Sequence, residues 1–346
     1  SGMALGVSPL RTGRHGQNRV PPMAEGKNRY GMTVPLAGSL ADHREVFREL
    51  VELGYTDAWS AEANDTDGLT PLALAAAWAP ELRLGTAILP VFTRGPALLA
   101  QSAAALASAA EGRFLLGIGS SSDVIVGRWN GIPFEDPYRR VRDTVRFLRV
   151  ALTGQKVTED YDTFSVSGFR LGRVPEQQPP ILIAALREGM LRLAGREGDG
   201  AIINWLSVAD VERVAGIVAS EGPGKEVVAR IFVCPSDDRD QVLAGGRFAM
   251  AAYLNVPVYR AFHEWMGRGE LLGEHWEQWA AGDRKGALEK IPDQVVDDLI
   301  VHGTPDECRA HIQRYVDAGV TCPALAVMPL TGGDVRQAVR DLAPVD

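Results

Sequence analysis

Cysteine is scarce in this sequence, with three residues, Cys234, Cys308 and Cys322, among 346. An odd, widely spaced set of this size points to reduced thiols rather than a disulfide framework and fits a cytoplasmic protein. Long apolar runs are also missing, since no stretch approaches the roughly 20 residues that cross a bilayer. The N-terminal MALGVSPL is short and is followed by Arg11, Arg14 and Arg19, which does not read as a signal peptide. Basic charge is in deficit, 36 Lys and Arg against 44 Asp and Glu, for a net charge of −8. That balance argues against nucleic acid, whose phosphate backbone calls for a basic face. No His/Cys cluster has the spacing of metal ligands, and no Ser, His and Asp stand in an order that reads as a hydrolase triad.

What is present is an ordinary core-forming composition, 46% hydrophobic and 23% charged. The length suits either two average domains or one large (β/α)8 barrel, since such barrels run from roughly 200 to more than 400 residues. Ser1-Gly2 ahead of Met3 reads as the remnant of a cleaved tag, and the polar segment 1–28 as a flexible N-terminal arm. A single domain is expected over 29–346.

From Arg29 onward, short apolar runs alternate with helical periodicity. RYGMTVPL precedes DHREVFRELVELG, in which Val46, Leu50, Val51 and Leu53 recur at helical spacing before Gly54 stops them. The same unit returns at DAWSAEA, at LRLGTAILP (Leu82 to Pro90) and at RFLLGIG. It recurs at PPILIAAL (Pro179 to Leu186), at GAIIN (Gly200 to Asn204), at VVARIFVCP and at CPALAVMP (Cys322 to Pro329). Eight strand-helix units predict a closed parallel barrel more readily than an open sheet. Two insertions interrupt the rhythm: a turn-rich hairpin at about 154–172 and a helical segment at about 252–291 with Trp265, Trp276 and Trp279. That segment either packs on the barrel exterior or on a partner subunit, or cages a substrate.

In such a barrel the ligand site lies at the carboxyl ends of the strands. GRFLLGIGSSS, at the end of the fourth barrel strand, begins like a dinucleotide fingerprint, but Ser122 stands where the third glycine belongs. The turn after the fifth strand is the better anion site, because it runs directly into the helix REGMLRLAG, whose first N–H groups are free. Arg187 there is either a bidentate phosphate contact or a solvated surface arginine.

The runs LGTAILPVFTRGPALLAQ, GRFLLGIGSSS and PPILIAALREGMLRLAGREGDGAIINW together resemble the bacterial luciferase-like flavin and deazaflavin oxidoreductases. SSSDVIVGRWNGIPFEDPYRRVRDTVRFLRVAL is similar to the branch that uses the 5-deazaflavin coenzyme F420. The resemblance implies a (β/α)8 TIM barrel with insertions and a cofactor lying across its mouth. The ring would lie at Thr86, Ala87, Ile88, Gly119, Ser120 and Ser121, with a non-proline cis peptide at Ala87-Ile88. The phosphate would lie at Ala184, Ala185, Leu186, Arg187, Glu188 and Gly189, with Asn204 alongside. Glu188 would turn to solvent and leave a backbone cradle. Glu62 falls on an acidic position of the family and would hydrogen-bond the ring or substrate; alternatively it is an exposed carboxylate beside Asp65 and Asp67. Ala63 and Ser122 replace the histidine and glutamate that one branch uses as base and acid.

The activity implied is hydride transfer between coenzyme F420 and a small organic substrate. The alternatives are an FMN-dependent monooxygenase, served by a flavin-reducing partner enzyme, and a non-catalytic cofactor-binding paralogue. The resemblance also implies a homodimer.

Overall fold

In the computed structural model of the chain, residues 29–328 and 333–345 are described. The arm expected over 1–28, and the end of the last strand at Pro329, lie outside them. The strands in chain order are β1 (Gly31–Val34), β2 (Asp57–Ser60), β3 (Arg83–Thr86), β4 (Leu89–Pro90), β5 (Phe114–Gly119) and β6 (Val157–Asp160). They continue with β7 (Ser165–Phe169), β8 (Ile181–Ala184), β9 (Gly200–Asn204), β10 (Glu226–Cys234), β11 (Ile300–His302) and β12 (Cys322–Val327).

Eight of these, β1, β2, β3, β5, β8, β9, β10 and β12, pair in that order in parallel, and β12 returns to β1 through Gly31 opposite Ala324. The sheet is therefore a closed (β/α)8 barrel, as the alternation predicts. β11 extends the carboxyl half of β10, with Phe232 opposite Ile300. β6 and β7 form an antiparallel hairpin, a shorter core of the insertion expected over 154–172. No helix among the described residues is long and apolar enough to cross a membrane.

The third strand departs from its expected continuous run over Leu82 to Pro90. It divides into β3 and β4 around a cis peptide at Ala87-Ile88. Where the ladder opens, Thr86 Oγ1 donates to the Gly117 carbonyl and accepts from the Gly117 N–H, both at 2.8 Å. A side chain thereby supplies the bonds that the backbone ladder gives up.

Strand alternation divides the apolar residues between two cores. Outward positions such as Met32, Leu84, Leu116 and Ile183 pack beneath the surrounding helices. Inward, Trp59, Leu115, Leu182, Ile202 and Val228 fill the barrel. A Cβ on Gly85 would come within 2.1 Å of the Trp59 ring, so the glycine makes room for the indole. At the amino end, Arg29 pairs with the fully buried Asp57 and with Glu226, which also meets Arg83 at 3.3 Å. The three thiols are free and buried.

The helical segment packs on the barrel exterior and also reaches the mouth. Arg213 lies 3.8 Å from the Trp265 ring and Arg284 lies 4.0 Å from Trp279, contacts of an exterior layer. Trp276 is buried and donates to the Leu254 carbonyl at 2.9 Å. The tyrosines Tyr253 and Tyr259, rather than the tryptophans, reach the barrel mouth.

Candidate active site at the barrel mouth

Side-chain size along the inward face determines where a ligand fits. Above Leu115, Leu182, Ile202 and Val228, the next inward positions toward the carboxyl ends are Gly117, Ala184, Asn204 and Arg230. Bulk gives way to a shallow floor on the β5 and β8 side, bordered by Ala87 and Ile88, and to polar groups on the β9 and β10 side. The glycines of GRFLLGIGSSS have a reason within the protein. A Cβ on Gly117 would lie 1.8 Å from the Thr86 carbonyl oxygen, and one on Gly119 would lie 2.8 Å from the Ala184 Cβ.

Several expected site residues turn out to be structural. Thr86 is fully buried, with its hydroxyl committed to Gly117. Ala185 is buried and its N–H donates to the Ile202 carbonyl at 3.0 Å. Ser120 and Ser121 are half-buried at the rim, Ser121 in the left-handed region at φ 63°. The Ser122 hydroxyl accepts from the Ile125 N–H at 3.4 Å, at the start of a π-helical turn over Val124–Trp129 that the sequence did not suggest.

Glu62 is neither free nor exposed. Arg94 donates to both of its oxygens, at 2.7 Å to Oε1, and the Gly68 N–H donates to Oε2 at 3.1 Å. Both side chains are about five-sixths buried, at 16% and 15% exposure. Its backbone N–H donates to the Ile88 carbonyl at 3.2 Å, tying the loop after β2 to the segment between β3 and β4. Sequence reasoning missed Arg94, because two loop residues 32 positions apart leave no periodic trace.

After β8 the chain enters the helix Glu188–Arg196 without a side-chain cap. Leu186 is half-buried, whereas Arg187 and Glu188 are exposed. Glu188 turns along the helix to Arg192 at 2.8 Å, away from the first N–H groups. A Cβ on Gly189 would meet nothing within 4 Å, so the approach to those groups is open.

On the opposite wall, Asn204 Nδ2 donates to the Tyr259 hydroxyl at 2.9 Å while its Oδ1 is buried without a partner. Trp205, in the left-handed region at φ 55°, stacks on Phe232 at 3.7 Å with an interplanar angle of 17°. Tyr253 packs against Trp205 at 5.0 Å and against Tyr259 at 5.4 Å. Burial pushes the Tyr259 phenol up to about 12, so it holds its proton at neutral pH and offers an O–H donor. The signal for this wall was in the sequence: Asn204 and Arg230 are polar residues set inward in apolar strands.

A closed parallel barrel whose mouth holds the unpartnered polar atoms Asn204 Oδ1, Trp205 Nε1 and Arg230 Nε has the architecture of the (β/α)8-barrel enzymes, which bind their ligands at that end. The chain belongs to the luciferase-like monooxygenase family, whose model matches residues 17–322. It is 30% identical over 290 residues to the 5,10-methylenetetrahydromethanopterin reductase of Methanolobus tindarius, covering 78% of this chain and 84% of that protein. It is 28% identical over 309 residues to the F420-dependent glucose-6-phosphate dehydrogenase of Kineococcus radiotolerans, covering 82% and 85%. Its fold is similar to that of the coenzyme F420-dependent tetrahydromethanopterin reductase of Methanopyrus kandleri, with a TM-score of 0.76 at 19% identity over 92% of this chain and 98% of that one.

Proposed function

We propose that the chain is a coenzyme F420-dependent oxidoreductase acting on a small organic substrate at the barrel mouth. The observation that carries this reading is the pairing of a small-residue floor with an uncapped, open helix start across adjacent strand ends. The residues fit a flat ring with a phosphorylated side chain. No side chain longer than Ile88 stands among Ala87, Ile88, Gly119 and Ala184, and the N–H groups at Glu188, Gly189 and Met190 have no side-chain cap. When bound, the coenzyme supplies the two-electron redox chemistry.

The chain's own residues bind and orient. Ala87 and Ile88 support one face of the ring, and Ser120 and Ser121 border its edge. Leu186, Arg187 and Gly189 lie by the phosphate, held mainly by backbone N–H groups. Asn204 Oδ1 accepts from a ring or substrate N–H or O–H, and its amide holds Tyr259 in place. Glu62, saturated by Arg94 and Gly68, acts as a positioning residue for the Ala87-Ile88 segment rather than as a proton carrier. A partner enzyme that reduces the coenzyme, a cytoplasmic setting for the three free thiols and a homodimer complete the reading.

The test is a pair of fluorescence titrations of the purified chain, one with oxidised coenzyme F420 and one with FMN. At least about tenfold tighter binding of F420 is expected. Tighter binding of FMN would replace this reading with that of a flavin monooxygenase. Tight F420 binding without turnover across a broad substrate screen would indicate a non-catalytic paralogue.

A further inference from the structure

Arg230 sits one position beyond Val228 on the inward face of β10, directly across the ladder from Asn204. It is half-buried, and among the described residues no carboxylate or carbonyl accepts from it. Its Nε is shut off from solvent without a partner, and its Cζ lies 4.9 Å from the Phe232 ring. An arginine drawn partly out of water is ordinarily paired. The two arginines at the amino end of the barrel each reach a carboxylate, Arg29 that of Asp57 and Arg83 that of Glu226, although Arg83 Nε is also unpartnered.

The neighbours of Arg230 are donors as well. The Trp205 Nε1–H is buried with no acceptor. The Tyr259 hydroxyl already accepts from Asn204, so its own proton is free to be given. Three unspent donors, one of them a charged planar fork, stand beside the stacked pair of Trp205 and Phe232.

We propose that Arg230 is a specificity residue that binds an anionic group of the substrate, a carboxylate on an apolar or aromatic body. The guanidinium takes the carboxylate, with Trp205 and Tyr259 as further donors, and the aromatic pair takes the apolar body. This rests on the oxidoreductase reading, in which the cofactor occupies the opposite, small-residue side of the mouth.

The experiment titrates the F420-loaded protein calorimetrically with benzoate and with its neutral counterpart benzamide. The parent, Arg230→Gln and Arg230→Lys are compared, and F420 affinity is measured for each. Benzoate is expected to bind the parent at least about tenfold more tightly than benzamide, as a charge-assisted bond should give. Arg230→Gln should remove that preference, Arg230→Lys should retain part of it, and both should bind F420 within about twofold of the parent. Equal binding of benzoate and benzamide by the parent, or an undiminished preference in Arg230→Gln, overturns the proposal. So does a loss of F420 affinity in Arg230→Gln with benzoate binding intact, which would give the guanidinium to the cofactor. If the parent binds no F420, the oxidoreductase reading fails by itself, and the same benzoate series on the unloaded protein decides the anion site.

Discussion

Arg94 donates to both carboxylate oxygens of Glu62, at 2.7 Å to one of them, and so fastens the loop after β2 to the start of the helix Pro96–Ala109. The pair sits over the break between β3 and β4, because the Glu62 N–H also holds the Ile88 carbonyl. Arg94→Met would leave a mostly buried carboxylate with only the Gly68 N–H and a long contact to Thr93. A stability loss of about 2 kcal/mol is expected, below the range for a fully buried pair because both side chains keep some contact with water. Urea denaturation checks the stability. A turnover pH profile unchanged in shape checks that Glu62 positions rather than transfers protons, whereas a shifted limb would return it to the chemistry.

Gly117→Ala and Gly189→Ala separate glycines the fold needs from one a ligand needs. At Gly117 the added methyl would lie 1.8 Å from the Thr86 carbonyl oxygen, so β3 and β5 would be forced apart. A loss of 3 kcal/mol or more, roughly the range for severe overpacking, is expected, or no soluble protein at all. Gly189→Ala meets no atom within 4 Å and lies in a helix, so a gain of about 0.5 kcal/mol is expected. If the phosphate is cradled there, the same variant binds coenzyme F420 several-fold less tightly. A stabilised variant with full affinity would move the phosphate elsewhere.

His263 gives the fold an acid limit. Burial, and then the charge of Arg268 beside it, push this imidazole down from its usual range to about 3. Arg268 is itself paired with Asp210 and lies 3.3 Å from the Ser207 hydroxyl. The histidine is neutral in the folded chain and titrates near 6.5 when unfolded. Stability from this group is therefore full above about pH 6.5 and falls as pH drops toward 3, with a slope approaching 1.4 kcal/mol per pH unit. Urea midpoints at pH 7, 5 and 4 should decline less steeply in His263→Gln than in the parent. Parallel declines would place the acid sensitivity in other groups.

How legible this molecule was depended on the range of the interaction. GAIIN was readable to its boundaries because an apolar run is closed by a glycine before it and by the polar Asn204 at its end. LGTAILP reads as one strand, since nothing in its side chains distinguishes a continuous ladder from one opened at Ala87-Ile88. That feature came from family resemblance and the structure contains it. The resemblance sets Thr86 beside the ring, and nothing in the sequence indicates that its hydroxyl bonds Gly117, 31 residues away. Arg230 is visible in VVARIFVCP as a polar residue in an apolar strand, but the missing partner that gives it significance shows only in three dimensions.

The amino end of the barrel should be separable from its mouth. Asp57 is fully buried, accepts from Arg29 Nε at 3.2 Å and from the Thr56 hydroxyl at 2.6 Å, and shares Arg29 with Glu226. Asp57→Asn keeps the shape but removes one of the two charges facing that guanidinium. A loss of about 3 kcal/mol is expected, as for other buried pairs broken on one side. Asp57, Arg83 and Glu226 begin their strands, whereas Asn204 ends β9 and Arg230 stands level with it, four residues beyond Glu226 on β10. The variant should therefore bind coenzyme F420 like the parent at temperatures well below its own unfolding. Measuring denaturation midpoint and F420 affinity on one preparation decides the matter, since weakened binding by fully folded Asp57→Asn would mean that the packed layer of Trp59 and Val228 transmits the change from one end of the barrel to the other.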